Sequence, residues 1–221
     1  EFFDYAIKTI SKIKKNCRIY ILGDILESAN KTVGNASFKT NMSLDDQKAL
    51  ALDYLEPIKK NIICIVKGNH EARLEKDYDY NIIKDMGREL GVPSCNQFMD
   101  KIYVNDKPFV IHGKHGIGSS KWSWTAKSKL IRENMMINAD LFMEGHNHRL
   151  DFFNEPIMTS DGLRRRYYLF SGAFLSYNGY AEAMTKPILP CAFQVCNLDS
   201  ERRLKNVPHY IDERCQDIKF Y

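Results

Sequence analysis

Two hydrophobic periods alternate along the chain. From Phe2 to Lys14 the apolar residues Phe3, Ala6, Ile7, Ile10 and Ile13 recur at helical spacing with lysines between them, which predicts an amphipathic helix lying on a sheet. Arg18 to Leu22 reads as a short strand that gives way to Gly23-Asp24-Ile25-Leu26-Glu27. Leu44 to Leu55 returns to helical periodicity, opened by Ser43 and Asp46 in capping-box spacing and disturbed by Pro57. Ile62 to Val66 is a continuous apolar run rich in isoleucine, the pattern of a strand covered on both faces, and it stops at Gly68-Asn69-His70-Glu71. After a charged segment, Ile82, Ile83, Met86 and Leu90 lie on one helical stripe ended by Gly91, with Pro93 behind it. Helices and strands taking turns in this way predict an α/β layered sandwich.

The later chain is richer in the strand period. Phe98 to Val104 and Phe109 to His112 predict a hairpin around Asn105-Asp106, the second strand ending in His112-Gly113-Lys114-His115-Gly116. Ser119 to Trp124 is expected as loop, Ala126 to Met136 as helix, and Leu141 to Met143 as a short strand before Gly145-His146-Asn147-His148. Tyr167 to Phe170 and Phe193 to Leu198 read as strands, with a turn at Ser160-Asp161-Gly162. The polar stretch Ser28 to Asn41 predicts a surface loop close to Asp24, where loops commonly shape access to a site.

Composition narrows this picture. With 221 residues and 44% hydrophobic side chains, the chain can bury a substantial core and is expected to form one domain over residues 1–221. A net charge of +4 from 32 basic and 28 acidic residues is too balanced for a protein that coats nucleic acid, although it permits an anionic substrate. The six cysteines form no CxxC pair and read as reduced thiols of a cytoplasmic protein. No run approaches the roughly 20 apolar residues of a membrane span, and the first residues lack a signal-peptide pattern. The chain starts without methionine inside a helix-like segment, so it is expected to be a piece of a longer protein.

Candidate chemistry gathers at the strand ends: Asp24, Asn69 with His70, His112 with His115, and His146 with His148. Nitrogen and oxygen donors of this kind suit manganese, iron or zinc better than magnesium. A cluster of two ions about 3.5–4 Å apart needs a bridging carboxylate, and Asp24 is placed to serve.

These segments resemble, in order, four motifs of the calcineurin-like metallophosphoesterase superfamily: GDxx(D/E) at Gly23 to Glu27, GNH(D/E) at Gly68 to Glu71, the lone histidine at His112, and GHxH at Gly145 to His148. The polar insertion after Glu27, the segment Ser43 to Gln47 and the later Ser171-Gly172-Ala173-Phe174 also resemble a phage- and virus-encoded branch. The resemblance implies a four-layer α/β/β/α sandwich with mixed sheets and two divalent metal ions, manganese first, with iron, zinc and nickel as the other candidates. It makes Asp24 the bridging ligand, gives Asn69, His112 and His146 to one ion, and gives His148 to the other. His70 becomes the non-ligand histidine that protonates the leaving oxygen, and Glu27 the carboxylate that fixes its tautomer. The implied reaction is hydrolysis of a phosphate ester by a hydroxide generated at the metals. The first family motif, DxH, does not occur ahead of Glu1, so a strand carrying it is expected upstream.

Three readings follow. The preferred one is a phosphodiesterase or nuclease, because the Lys, Arg and Trp content beyond His112 suits a strand-binding groove; a nucleic acid is then a candidate partner and a membrane is not. A phosphomonoesterase or protein phosphatase is the second, from Glu27 and the GNHE form. A non-catalytic binding scaffold is the third, from the missing DxH. Blander roles stand beside the sharper ones. Asp24 suits a helix N-cap, Asn69 a turn, and Glu71 a first-turn carboxylate outside the catalytic set. His115, Arg73 and Arg149 either contact substrate or are ordinary surface residues. Trp122 and Trp124 either stack bases or pack in a core or lid, the latter preferred. Arg164, Arg165 and Arg166 read as a charged strand edge, and His209 is given no role.

Overall fold

The computed structural model describes residues 2–13, 16–28, 42–118, 122–160, 162–174 and 191–210. All but the first residue of the loop expected over Ser28 to Asn41, residues 119–121 of the next expected loop, Asp161 and Cys215 lie outside the described residues. The chain is α/β with mixed strand directions and divides into two compact units, residues 3–98 and 99–221.

The first unit runs α1 (Phe2–Ile13), β1 (Ile19–Ile21), α2 (Leu44–Leu55), a 3-10 turn (Glu56–Asn61), β2 (Ile62–Val66), α3 (Asn69–Tyr78), α4 (Ile82–Leu90) and β3 (Ser94–Cys95). Its sheet is parallel with β2 in the middle, Tyr20 facing Cys64 and Val66 facing Cys95. Central position explains the unbroken apolar run, since both faces of β2 must be covered. Ile65 and Val66 are wholly buried, and Ile62 and Ile65 join Leu55, Ile58, Leu74, Ile82, Met86 and Leu90 in one core. The helix ends follow their local chemistry. Ser43 Oγ accepts from the Asp46 N–H at 3.1 Å, Asn81 Oδ1 accepts from the Lys84 N–H at 2.9 Å, and Gly91 closes α4 at φ 69.

The segment after Glu71, read as merely charged, continues the ten-residue helix α3. Its sequence NHEARLEKDY has too few apolar residues to display a stripe, and the helix rests on Leu74 and Glu71 alone as buried side chains.

The second unit contains β4 (Gln97–Val104) from Met99 onward, β5 (Lys107–Lys114), α5 (Ser123–Asn134), β6 (Leu141–Glu144), β7 (Leu150–Thr159), β8 (Gly162–Ser171), β9 (Ala192–Leu198) and β10 (Leu204–Tyr210). The main sheet has the order β4-β5-β6-β8-β7, with β5, β6 and β8 mutually parallel and β7 antiparallel to β8. Asn105 and Asp106, at φ 50 and 61, make the β4–β5 connection with both central residues left-handed, the primed turn that matches strand twist. Phe142, Tyr168 and Phe170 are fully buried and pack with Ala126 and Leu130 of α5. Helix α5 begins three residues earlier than periodicity predicts and ends two residues earlier. Strands β7 and β10 escape sequence reading because each contains a proline, Pro156 and Pro208; β7 ends the sheet order, where proline is tolerated.

Among the described residues no helix is long and apolar enough to cross a membrane. Cys17, Cys64, Cys95, Cys191 and Cys196 are free thiols, and burial pushes the Cys196 thiol up to about 12. Trp122 and Trp124 are each 68% exposed, which overturns the expectation that they pack into a core.

Candidate functional site

In the first unit the chain leaves β1 and turns sharply. Gly23 has φ 88 and Asp24 φ 55, a left-handed conformation that a non-glycine residue holds only where its surroundings dictate it. Those surroundings centre on Glu71, 1% exposed. Its Oε2 accepts from the N–H groups of Gly68 at 2.9 Å and Asp24 at 3.1 Å, and its Oε1 from Leu26 at 3.0 Å. One buried carboxylate therefore ties the loop after β1 to the loop after β2. Burial raises its pKa above the ordinary carboxylate value, against the pull of the backbone donors. Glu71 is the first-turn carboxylate of α3 that its position suggests, closing on the Gly68 N–H, and its burial and the two further donors, Asp24 and Leu26, make it a structural clasp as well. Gly68 is demanded by space. A Cβ there would lie 2.1 Å from Asp24 Oδ1 and 2.3 Å from its backbone nitrogen.

This clasp places the reactive side chains. Asp24 Oδ1 accepts the backbone N–H of His70, the second residue of α3, at 3.0 Å. Asp24 is therefore not an N-cap residue, a place that Gly68 holds in α3; its carboxylate reaches the first turn of that helix from a separate loop. His70 Nδ1 is 3.3 Å from Glu27 Oε2, and its Nε2 is 3.8 Å from Asp24 Oδ2. A ring whose Nδ1–H is directed at Glu27 leaves Nε2 as the atom that can give or take a proton. Glu27 is itself steadied: its N–H donates to Gln47 Oε1 at 3.0 Å, and Arg73 Nη1 stands 3.8 Å from its other oxygen. Arg73 thus pairs with a site carboxylate. Asn69 is the first residue of α3, at the mouth of β2.

The second unit offers imidazoles at two adjacent parallel strand ends. His112 lies in β5 beside Phe142 of β6, ring centroids 5.8 Å apart, and is 4% exposed. Burial first, then the Lys114 charge, hold its imidazole below the ordinary value of 6.5, while the Asn134 carboxamide pulls the other way. A neutral ring keeps a lone pair for a cation. His115 is 5% exposed, and its Nε2 is 3.2 Å from Nδ1 of His146. That finding corrects the surface-loop alternative for His115. His146 and His148 are left-handed at φ 60 and 58, with Asn147 Oδ1 accepting from the Arg149 N–H at 3.0 Å. Arg149 places its backbone in this turn and against Gly172, whose N–H it accepts at 2.7 Å.

Sequence reading missed Glu144 and Asn134. Glu144 ends β6, is 3% exposed, and has its carboxyl pushed up by burial. Its signal was an acid in an apolar strand directly before Gly145-His146. Asn134, 1% exposed at the end of α5, has no sequence signal, since only packing turns it inward.

The depressed His112 titration makes a prediction. In the metal-free protein the unfolded chain takes up this proton more readily, so stability is complete above pH 6.5 and falls as pH is lowered towards the folded-state value. Urea midpoints measured from about pH 7.5 to about pH 5.5 should decline, and His112→Gln should flatten that decline.

No family model matches the sequence, and no curated protein matches it. Among solved structures, a double mutant of Vps29 from Entamoeba histolytica is similar at 15% identity, covering 87% of this chain and 98% of that one, with a TM-score of 0.41. Wild-type Vps29 from the same organism, complexed with Zn2+, matches at 13% identity over 72% of this chain and 89% of that one, TM-score 0.34. A conserved uncharacterized protein from Streptococcus pneumoniae, described as a predicted phosphoesterase, matches at 15% identity over 92% of this chain and 88% of that one, TM-score 0.36. Likenesses of this degree assign neither activity nor ligand to this chain.

Proposed function

We propose that the chain is a divalent-metal-dependent phosphoesterase. The observation that carries this reading is the His70 imidazole held between two carboxylates, Glu27 at 3.3 Å and Asp24 at 3.8 Å, at the end of a buried strand. The proposed metal ligands are Asp24, Asn69, His112, His146 and His148, the positions that match the family motifs. The residues fit such ions: the donors are carboxylate, carboxamide and imidazole, and the rings of His115 and His146 bring two nitrogens within 3.2 Å. Two divalent ions, when bound, neutralise phosphoryl oxygens and ease deprotonation of a water.

The protein's own residues do the rest. Glu27 orients His70 through Nδ1, and Nε2 donates the proton that the departing alcohol oxygen needs. Asp24, clamped by Glu71 and by the His70 N–H, holds its carboxylate in one orientation, which is the requirement on a bridging ligand. Arg73, paired with Glu27, helps fix that carboxylate.

The preferred substrate is a phosphodiester, with exposed Trp122 and Trp124 as the feature that suits a nucleic acid. A phosphomonoester is the second reading, favoured by the Glu27–His70 pair. Manganese-dependent hydrolysis of bis(p-nitrophenyl) phosphate beside p-nitrophenyl phosphate separates them. Faster diester turnover is expected; faster monoester turnover selects the second reading, and no turnover of either with metals loaded selects the binding scaffold.

A further inference from the structure

The second unit contains a contact that the motif-derived ligand set leaves unused. His115 follows β5 in a glycine-rich loop, yet it is 5% exposed and directs Nε2 at Nδ1 of His146 across 3.2 Å. The rings meet edge on, with centroids 5.1 Å apart and planes at 74°. The backbone beside His115 is fixed by a close approach: Gly116 has φ 90, and a Cβ there would lie 2.5 Å from Glu144 Cγ. His146 is held left-handed at φ 60 on the other side of the pair. Both partners are thus set by constrained backbone just beyond the ends of adjacent parallel strands.

Two imidazole nitrogens meet in a buried place for one of two reasons. One ring donates an N–H to the other's lone pair, or both lone pairs face one cation. Nitrogens about 2.0–2.1 Å from a shared ion lie about 2.9 Å apart in octahedral and about 3.3 Å apart in tetrahedral coordination. The observed 3.2 Å falls within that span.

We infer that His115 is a metal ligand, joining His146 on a divalent transition ion that accepts imidazole, and is not a substrate contact. This deepens the metal-dependent reading and rests on it, while naming a ligand that the GHxH and lone-histidine motifs do not supply. It gives the second unit a nitrogen pair whose spacing is already set.

The test uses the intact chain after chelation and reloading. With histidine labelled by 15N, Zn2+ should move the ring nitrogens of His115 and His146 together. In a Co2+ titration followed by visible absorption, His115→Ala should weaken binding on the order of 100-fold, the upper range for disturbing a ligand's support. Unshifted His115 nitrogens at Zn2+ saturation, or wild-type Co2+ affinity in a folded His115→Ala protein, would overturn the inference. If that variant fails to fold, the 15N experiment on the wild-type chain decides alone. Neither arm needs an ester. Ion binding through His115 without any hydrolysis defeats the enzyme reading only, and hydrolysis with unshifted His115 defeats this inference only.

Discussion

Replacing His70 by alanine is expected to lower phosphoester turnover by about 10²- to 10⁴-fold, the usual range for a positioned proton donor, with the bound metal content unchanged. The expectation follows from the ring's two neighbours. Nδ1 stands 3.3 Å from Glu27, so the tautomer is set, and Nε2 stands 3.8 Å from Asp24, beyond hydrogen-bond distance. Because the His70 backbone N–H, and not its ring, is what Asp24 Oδ1 accepts, the alanine variant keeps that bond and keeps Asp24 in place. Metal analysis of the purified variant checks this directly. Loss of metal together with activity would make His70 a ligand and would remove the proton-donor role.

Glu71→Ala should be the most destabilising single change in the first unit, costing on the order of 3 kcal/mol or more. It strands the N–H groups of Asp24, Leu26 and Gly68 in a buried place, and each unmet donor costs about 1–3 kcal/mol, incompletely additive. Thermal unfolding gives the number. A wild-type midpoint in a Glu71→Ala protein would mean that water reaches these donors and that Glu71 is not a clasp. Glu71→Gln should be milder, since one acceptor oxygen survives, but its amide group faces backbone donors where the second oxygen stood.

Several elements were legible in the residues. Ile62–Val66 and Leu44–Leu55 occupy the spans their patterns predict, because an unbroken apolar run and a capped amphipathic stripe are each local signatures. Glu27, which the motif resemblance sets beside His70, lies 3.3 Å from its Nδ1. What escaped was non-local. Helix α3 forms without an apolar stripe because Glu71 closes its first turn locally on the Gly68 N–H and Asp24 caps it from a distance. The first-turn place of Glu71 was legible, but its second role was not, because the Asp24 and Leu26 donors lie 45 or more residues away in sequence.

The sequence by itself determined the alternation of helix and strand in the first unit and the strand ends where the candidate ligands stand, since hydrophobic period and turn chemistry act over a few residues. Only the tertiary structure decided which way the polar side chains turn. Glu71, Glu144 and Asn134 go inward, His115 meets His146, and Trp122 and Trp124 stay out. The physical reason is that the direction of a polar side chain depends on partners distant in sequence, and burial away from water makes those partners obligatory.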